Sequence, residues 1–200
     1  MTGPYVSVAV EGGSDTAAVE ALMEHVGLAL AKSPVVKRGV GNLDKLIGSV
    51  AHAPRSNPWI VFRDSDRECP VDLRRTLLKG ADDNPFFQLR LARPMTEAWL
   101  LADAQGFSDF FGVAASSLPP DPDSLDHAKR KLLTLCQGSR FRNVRREVCR
   151  DGGRPGPLYV DWLNRFARER RDIKAAAAVS ESLARAVNRL SDMRERLTFD

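Results

Sequence analysis

Short β-branched segments alternate with longer segments of helical periodicity over the first 110 residues of this 200-residue chain. Tyr5–Val10 and the apolar run at residues 59–62 have the length and composition of buried strands. Between them, residues 15–31 carry apolar side chains at every third or fourth position, as an amphipathic helix does. Strands and helices that alternate in this way predict a mainly parallel α/β sheet with helices on both faces.

The same signals predict the remaining elements and divide the chain into two parts. Further strands are expected over residues 34–40 and 86–92. Further helices are expected over residues 42–52, 71–79, 96–104, 127–136, 158–170 and 175–197. Ser14 is expected to cap the first helix of the chain, and Gly80 is expected to end the third. Residues 112–126 are predicted to be a loop, and residues 138–157 match no element. We therefore expect an α/β core over residues 1–110. A basic, mostly helical extension over residues 111–200 is expected to pack on it in one globular unit.

Charge is distributed unevenly along the chain. Residues 1–125 contain 12 Lys and Arg against 16 Asp and Glu, whereas residues 126–200 contain 18 against 10. An acidic first part and a basic second part suit a protein that binds cations with one and a polyanion with the other. Solvated helices alone can produce the same imbalance.

Cysteine usage and hydropathy bear on the cellular compartment. Three cysteines without a C-x-x-C pair predict reduced thiols rather than a disulfide framework or a cysteine zinc site. The chain has no run of about eighteen apolar residues and no signal-peptide pattern at its beginning. We therefore expect a cytoplasmic protein that does not contact membranes.

Acidic side chains follow the ends of two predicted strands. Glu11 and Asp15 flank the glycine turn after the first strand, and Asp64 and Asp66 follow the apolar run at residues 59–62. Because functional loops of parallel sheets lie at the carboxyl ends of the strands, these carboxylates are expected at one edge of the sheet. If the D-x-D segment stays extended, Asp64 and Asp66 share one face.

Converging carboxylates repel one another unless a cation lies between them. Hard oxygen ligands are those that Mg²⁺ or Mn²⁺ prefers, and such ions can activate water and stabilise the leaving oxygen in phosphoryl transfer. The pattern therefore predicts a metal site. Two alternatives remain open, because D-x-D also occurs in glycosyltransferases and turn acids often simply face solvent.

The predicted extension contains a dense run of basic residues. Six arginines lie between positions 140 and 154, with three further basic residues at positions 129–131. Guanidinium groups suit phosphate oxygens, and such a run supplies the salt-dependent part of nucleic-acid binding. The predicted nucleic-acid-binding residues are Lys129, Arg130, Lys131, Arg140, Arg142, Arg145 and Arg146. The alternative is a solubilising or acid-neutralising loop.

Two motifs resemble the Toprim domain shared by topoisomerases, primases and the overcoming-lysogenization-defect (OLD) nucleases. They are Val10-Glu-Gly-Gly-Ser-Asp15 and Phe62-Arg-Asp-Ser-Asp66, and the spacing of Glu11 and Asp15 is similar to that of the nuclease branch. Residues 93–103, 125–131 and 180–186 also resemble a bacterial Toprim-like family known as a domain of unknown function. The E-A-W-L-L-A-D segment within the first of these is distinctive, and the resemblance covers nearly the whole chain.

The resemblance implies a Toprim-like, Rossmann-like fold and a metal-dependent nuclease whose substrate is DNA rather than RNA. It also implies a role in bacterial defence together with an ATPase partner. The catalytic residues would be Glu11, Asp64 and Asp66, and the ligands of Mg²⁺ or Mn²⁺ would be Glu11, Asp15, Asp64, Asp66 and Glu97. Glu97 has an alternative role as a first-turn acid favoured by the helix dipole. The competing hypothesis is a non-catalytic module that binds nucleic acid or an ATPase, because no motif positions a lysine near the transferring phosphate.

Overall fold

The computed structural model describes residues 3–79 and 84–199, and the described chain contains a five-stranded parallel sheet. Its strands are β1 (Tyr5–Val10), β2 (Ala29–Leu30), β3 (Val35–Val36), β4 (Trp59–Asp64) and β5 (Phe87–Ala92). Their order is β2-β1-β4-β5, and β3 pairs with the carboxyl end of β1. All of these pairs are parallel, including β1 with β4, which confirms the predicted α/β class.

Helices cover both faces of the sheet and extend beyond it. They are α1 (Thr16–Val26), α2 (Val40–Val50), α3 (Pro70–Leu77), α4 (Thr96–Leu101), α5 (Ala104–Phe111), α6 (Ala128–Gln137), α7 (Arg142–Glu147), α8 (Tyr159–Glu169), α9 (Ile173–Val179) and α10 (Glu181–Phe199). On one face, Leu43 and Ile47 of α2 pack against Val61. On the other, α1, α9 and α10 pack against Val8 and Ile60, so the predicted two-sided covering is confirmed.

A second apolar core joins α4 to α8 beside the sheet. The rings of Phe107 and Phe111 stack with centroids 4.3 Å apart, and Phe166 of α8 meets both rings at their edges. Ala17 and Ala18 of α1 belong to the same core, so α1 contacts both the sheet and the helical part. No helix among the described residues combines the length and the apolar character needed to cross a bilayer.

The first helix is shorter than predicted. It ends at Val26 because Gly27 adopts a left-handed conformation with φ of 74°, and its N–H is bonded to the Glu24 carbonyl. Residues 29–30, predicted to be helical, form β2 instead. The cap residue is Asp15 rather than Ser14, and its side chain makes no capping bond.

The predicted helix over residues 175–197 is interrupted at Ser180, where the backbone is extended. The Ser180 hydroxyl donates to Asp123 Oδ1 at 2.7 Å, and its oxygen accepts the Leu183 N–H at 3.2 Å. Ser180 therefore caps α10, which begins at Glu181, and α9 ends at Val179. The helix predicted over residues 96–104 ends at Leu101, and a separate helix, α5, begins at Ala104 because Asp103 caps it by accepting the Gly106 N–H at 3.0 Å.

The stretch over residues 138–157 that matched no element contains α7 and a small antiparallel hairpin. Its strands are β6 (Cys149–Arg150) and β7 (Arg154–Pro155), and Gly152 and Gly153 turn the chain with positive φ. The predicted loop over residues 112–126 contains two short 3-10 turns, at Ala115–Ser117 and Pro122–Ser124. Gly80, which was expected to close the third helix, lies outside the described residues.

Candidate metal centre

Four carboxylates from different elements gather at the carboxyl edge of the sheet. Glu11 follows β1, Asp15 precedes α1, Asp64 is the last residue of β4, and Glu97 lies in the first turn of α4. Asp15 and Glu97 are only 6% and 4% exposed, although acidic residues rarely lie inside a protein without a partner. We call these four side chains the acidic site.

The glycine turn after β1 holds Asp15 in the interior. Asp15 Oδ2 accepts the Gly12 N–H at 2.8 Å, and Oδ1 accepts the Ser14 hydroxyl at 3.3 Å. These two bonds orient the carboxylate. Neither donor is a cation, however, so the negative charge of Asp15 is not neutralised by them.

Asp64 connects the end of β4 to the start of α4. Its Oδ1 accepts both the backbone N–H and the hydroxyl of Thr96, at 3.0 and 3.1 Å. Because Glu97 is the next residue, this pair of bonds also brings the Glu97 carboxylate toward Asp64.

Tyr159 of α8 reaches the acidic site from the helical part of the chain. Its hydroxyl donates to Glu97 Oε1 at 2.7 Å, and both residues are buried. The ammonium of Lys129 lies over the Tyr159 ring, 5.0 Å from its centroid. A basic side chain that was predicted to bind nucleic acid is therefore separated from the acidic site by a single aromatic ring.

Burial and the neighbouring charges raise the pKa values of Glu11, Asp15 and Asp64. Burial, followed by the charge of Glu97, raises the pKa of Asp15 to about 7. Burial likewise raises the pKa of Asp64 well above its ordinary value, and the charges of Asp15 and Glu97 add to the effect. Burial and the charge of Asp66 raise the pKa of Glu11, against a lowering by Arg63. Burial and mutual repulsion thus disfavour the charged forms of these three carboxylates.

Asp66 lies at the margin of the acidic site rather than inside it. The D-x-D segment does not stay extended, because Asp66 has a left-handed φ of 50°, so the condition under which Asp64 and Asp66 would share one face is not met. The Asp66 side chain is 49% exposed and lies 3.9 Å from Arg63 Nη1. Arg63 is itself buried and also contacts Asp44 and Glu68, so it holds the turn after β4 in place.

The acidic site suits a hard divalent ion in its chemistry. Glu11 Oε2 is buried without a hydrogen-bond partner among the described residues, and Asp15 and Asp64 carry raised pKa values. Within residues 3–79 and 84–199, no three His, Cys, Asp or Glu side chains form a ready-made metal-binding group. The hydroxyls of Thr96 and Tyr159 donate hydrogen bonds to carboxylate oxygens of Asp64 and Glu97. These side chains would therefore have to rearrange to coordinate an ion.

The predicted nucleic-acid-binding residues differ in their surroundings. Arg142 and Arg146 are exposed on α7, whereas the Arg145 guanidinium donates to the Ser139 carbonyl. Arg140 lies over the Phe141 ring, 5.0 Å from its centroid. Arg130 is exposed and Lys131 is half-buried on α6. The structure therefore places Lys129 over Tyr159, the hydrogen-bond partner of Glu97, and leaves Arg142 and Arg146 of α7 exposed.

Three residues of the site were not predicted from the sequence. Thr96 stands directly before Glu97, and a hydroxyl residue at a helix start is a recognisable signal for a local hydrogen bond. Arg63 lies between the apolar run and the D-x-D motif, where a basic residue indicates a partner for nearby acids. Tyr159 is 62 residues away from Glu97, and no local pattern links the two.

Tyr159→Phe is expected to lower the free energy of unfolding by about 1–3 kcal/mol, because it leaves a buried Glu97 oxygen without its donor. Tyr5→Phe is the matched control, since Tyr5 is 60% exposed and makes no side-chain hydrogen bond with a described residue. Urea unfolding measures both variants. Equal stability of the two would contradict a structural role for the Tyr159–Glu97 bond.

Comparison with known proteins gives structural neighbours only. No family model matches the chain, and no curated protein sequence does. The C-terminal region of the OLD protein of Burkholderia pseudomallei superposes with a TM-score of 0.43 at 16% identity, covering 98% of this chain and all of that one. The C-terminal region of the Xanthomonas campestris pv. campestris OLD protein superposes with a TM-score of 0.42 at 17% identity, covering 98% of this chain and 94% of that one.

Proposed function

We propose that this chain is a divalent-metal-dependent phosphodiesterase of Toprim type that acts on nucleic acid, with DNA as the expected substrate. The observation that carries the proposal is the acidic site, in which Glu11, Asp15 and Asp64 have raised pKa values beside the buried Glu97. Negative charge buried without a cation destabilises a protein. A bound divalent ion would remove this destabilisation, so a metal site is the simplest explanation for these clustered carboxylates.

Five carboxylates have roles in this proposal. Asp15, Asp64 and Glu97 would hold Mg²⁺ or Mn²⁺, with Glu11 and Asp66 completing the ligand set as the turns after β1 and β4 adjust. When bound, the ion would activate water and stabilise the leaving oxygen of a phosphodiester. Glu11 can serve instead as the general base, because burial and the charge of Asp66 raise its pKa and its Oε2 has no hydrogen-bond donor among the described residues.

Lys129 would supply the basic group that the sequence motifs did not identify. Its ammonium lies over Tyr159, whose hydroxyl is bonded to Glu97, so a phosphate at the acidic site would lie near a positive charge. The exposed Arg142 and Arg146 of α7, with Arg130, Lys131, Arg140 and Arg145, would contact the backbone farther along the nucleic acid. The resemblance to Toprim proteins adds a bacterial defence role with an ATPase partner to this proposal.

A non-catalytic module that binds nucleic acid or an ATPase is the second candidate. The observation that favours it is the lack of a preformed metal-binding group in the part of the chain that the structure describes. In that case the raised pKa values would leave the acidic site partly protonated near neutral pH, without any need for an ion.

A plasmid-nicking assay with Mg²⁺, Mn²⁺ or EDTA separates the two candidates. The wild type is expected to convert supercoiled plasmid to the open-circular form with either ion and to stop in EDTA. Asp64→Ala is expected to lose this conversion by a factor of about 100 or more, as for a group that acts in the transition state. Metal-independent nicking, or equal nicking by Asp64→Ala, would exclude the proposed enzyme, and full inactivity with retained DNA binding would favour the module.

A further inference from the structure

Asn164 of α8 connects the helical part of the chain to the glycine turn after β1. Its Nδ2 donates to the Gly13 carbonyl at 3.3 Å, and its Oδ1 accepts the backbone N–H of Ala17 at 3.3 Å. A side-chain amide can make both bonds because it carries a donor and an acceptor. The two bonds lie on either side of Asp15, a buried carboxylate of the acidic site.

The N–H of Ala17 is the kind of donor that the residue before a helix ordinarily accepts. The helix α1 begins at Thr16, so Asp15 occupies the cap position and Ala17 is the second residue of the helix. A cap aspartate usually has an extended backbone, and its carboxylate accepts the N–H of the second or third helical residue. Asp15 instead has a helical backbone, with φ of −88° and ψ of −19°, and its side chain makes no capping bond. Asn164 therefore caps α1 in place of Asp15.

Two other aspartates of this chain show the ordinary arrangement. Asp103 accepts the N–H of Gly106 at the start of α5, and Asp172 accepts the N–H of Ala175 at the start of α9, each at 3.0 Å. Their ψ angles of 76° and 99° lie outside the helical range. The exception at α1 therefore reflects the presence of Asn164 rather than a general property of aspartate.

The carboxylate of Asp15 has other partners. Its Oδ2 accepts the Gly12 N–H at 2.8 Å and its Oδ1 accepts the Ser14 hydroxyl at 3.3 Å, so the side chain stays inside the turn and within the acidic site. Capping would require an extended backbone at Asp15. That change would alter the turn that gives the carboxylate these partners and would move it away from the acidic site.

We infer that Asn164 is a positioning residue of the acidic site, because it caps α1 in place of Asp15 and so leaves the Asp15 carboxylate available as a metal ligand. The role of Asp15 as a ligand rests on the proposed function, whereas the exchange of caps rests on the hydrogen bonds alone. A separate contact also holds α8 against α1, since Arg168 Nε and Nη2 donate to Glu20 Oε2 at 3.2 and 2.9 Å. Arg168 lies one turn after Asn164 on the same side of α8.

A double-mutant cycle in EDTA tests the exchange of caps without a metal ion. Asn164→Ala alone is expected to cost little stability, because Asp15 can then accept the Ala17 N–H. In the Asp15→Ala background neither acceptor remains, so Asn164→Ala is expected to raise the unfolding equilibrium constant by about fivefold more than it does in the wild type. Urea unfolding near neutral pH measures each protein of the cycle.

The sign of the coupling in this cycle decides the result. Two residues that merely support the same turn lose their contributions together, and the double variant is then more stable than additivity predicts. Additive effects or coupling of that sign would overturn the inference.

Calorimetric titration with Mn²⁺ tests the consequence for the acidic site. Asn164→Ala is expected to lower Mn²⁺ affinity by about 10–100-fold, as for other residues that orient a metal ligand. Arg168→Ala is the matched control, since it removes the neighbouring contact between α8 and α1 and is expected to keep the wild-type affinity. Asn164→Asp retains an acceptor for the Ala17 N–H and is also expected to keep it, so a folding defect in Asn164→Ala does not decide the result.

The outcomes separate this inference from the proposed function. Wild-type affinity in folded Asn164→Ala, or lost binding in folded Asn164→Asp, would overturn the positioning role while the metal site stands. If the wild type itself binds no Mn²⁺, the metal site of the proposed function fails, and the cycle in EDTA still decides whether Asn164 replaces Asp15 as the cap of α1.

Discussion

Without divalent ions, the protein is expected to lose stability as the pH rises from about 4 to about 7, and Mn²⁺ is expected to restore it. The carboxyls of Glu11, Asp15 and Asp64 have raised pKa values in the folded state, so folding favours their protonated forms. Their contribution is complete below the ordinary carboxyl pKa and is lost as the pH passes the raised value. For Asp15, with a pKa raised from 3.8 to about 7, the loss amounts to roughly 4 kcal/mol.

Asp64→Asn and Glu11→Gln are each expected to raise the free energy of unfolding in EDTA and to abolish Mn²⁺ binding. Each amide removes one negative charge from the acidic site, and the Asn oxygen can still accept the two Thr96 bonds. In EDTA near neutral pH, each variant should therefore unfold with a free energy at least about 1 kcal/mol higher than the wild type. Both are expected to lose Mn²⁺ binding in calorimetric titration.

The control for these substitutions is Asp72→Asn, an exposed residue of α3 whose ion pair with Arg75 lies in solvent. It is expected to change stability by less than about 1 kcal/mol and to leave Mn²⁺ binding intact. Wild-type Mn²⁺ affinity in both Asp64→Asn and Glu11→Gln would discard the metal site. A flat stability profile between pH 4 and 7 in EDTA would show that the four charges do not interact as the structure implies.

Local sequence patterns predicted the sheet because its strands carry strong local signals. Tyr5–Val10 and the run after Trp59 are apolar and β-branched, and parallel pairing then brings both carboxyl ends to one edge. For the same reason Glu11 and Asp64 could be expected at that edge before any coordinates were known. The early end of α1 also had a local signal, since glycine at position 27 is typical of a helix terminus.

Features that depend on distant partners were not predictable from local patterns. Ser180 interrupts a helix because its hydroxyl donates a hydrogen bond to Asp123, 57 residues earlier. Glu97 accepts the hydrogen bond of Tyr159 across a comparable separation, and Lys129 lies over the ring of the same tyrosine. The D-x-D segment is not extended, because Asp66 adopts a left-handed turn whose N–H donates to the carbonyl of Pro94 in another loop.

The double substitution Arg142→Ala with Arg146→Ala is expected to flatten the salt dependence of duplex DNA binding. Both side chains are exposed on α7 and form no ion pair with a described residue, so they are available to phosphates. If each contacts one phosphate, the slope of log affinity against log salt falls by up to about 2, and every DNA sequence is weakened alike. Arg145 is left unchanged, because its guanidinium holds the Ser139 carbonyl and its loss would disturb the turn before α7.

A charge-matched control distinguishes phosphate contact from a general loss of positive charge. Arg55→Ala with Arg196→Ala removes two exposed arginines, one from the loop before β4 and one from the end of α10. This control is expected to keep the wild-type slope, since it lies outside the basic run. Circular dichroism verifies that both double variants are folded. If the folded double variant at Arg142 and Arg146 keeps the wild-type salt slope, α7 faces solvent or a protein partner. That result would favour the non-catalytic module over the nuclease.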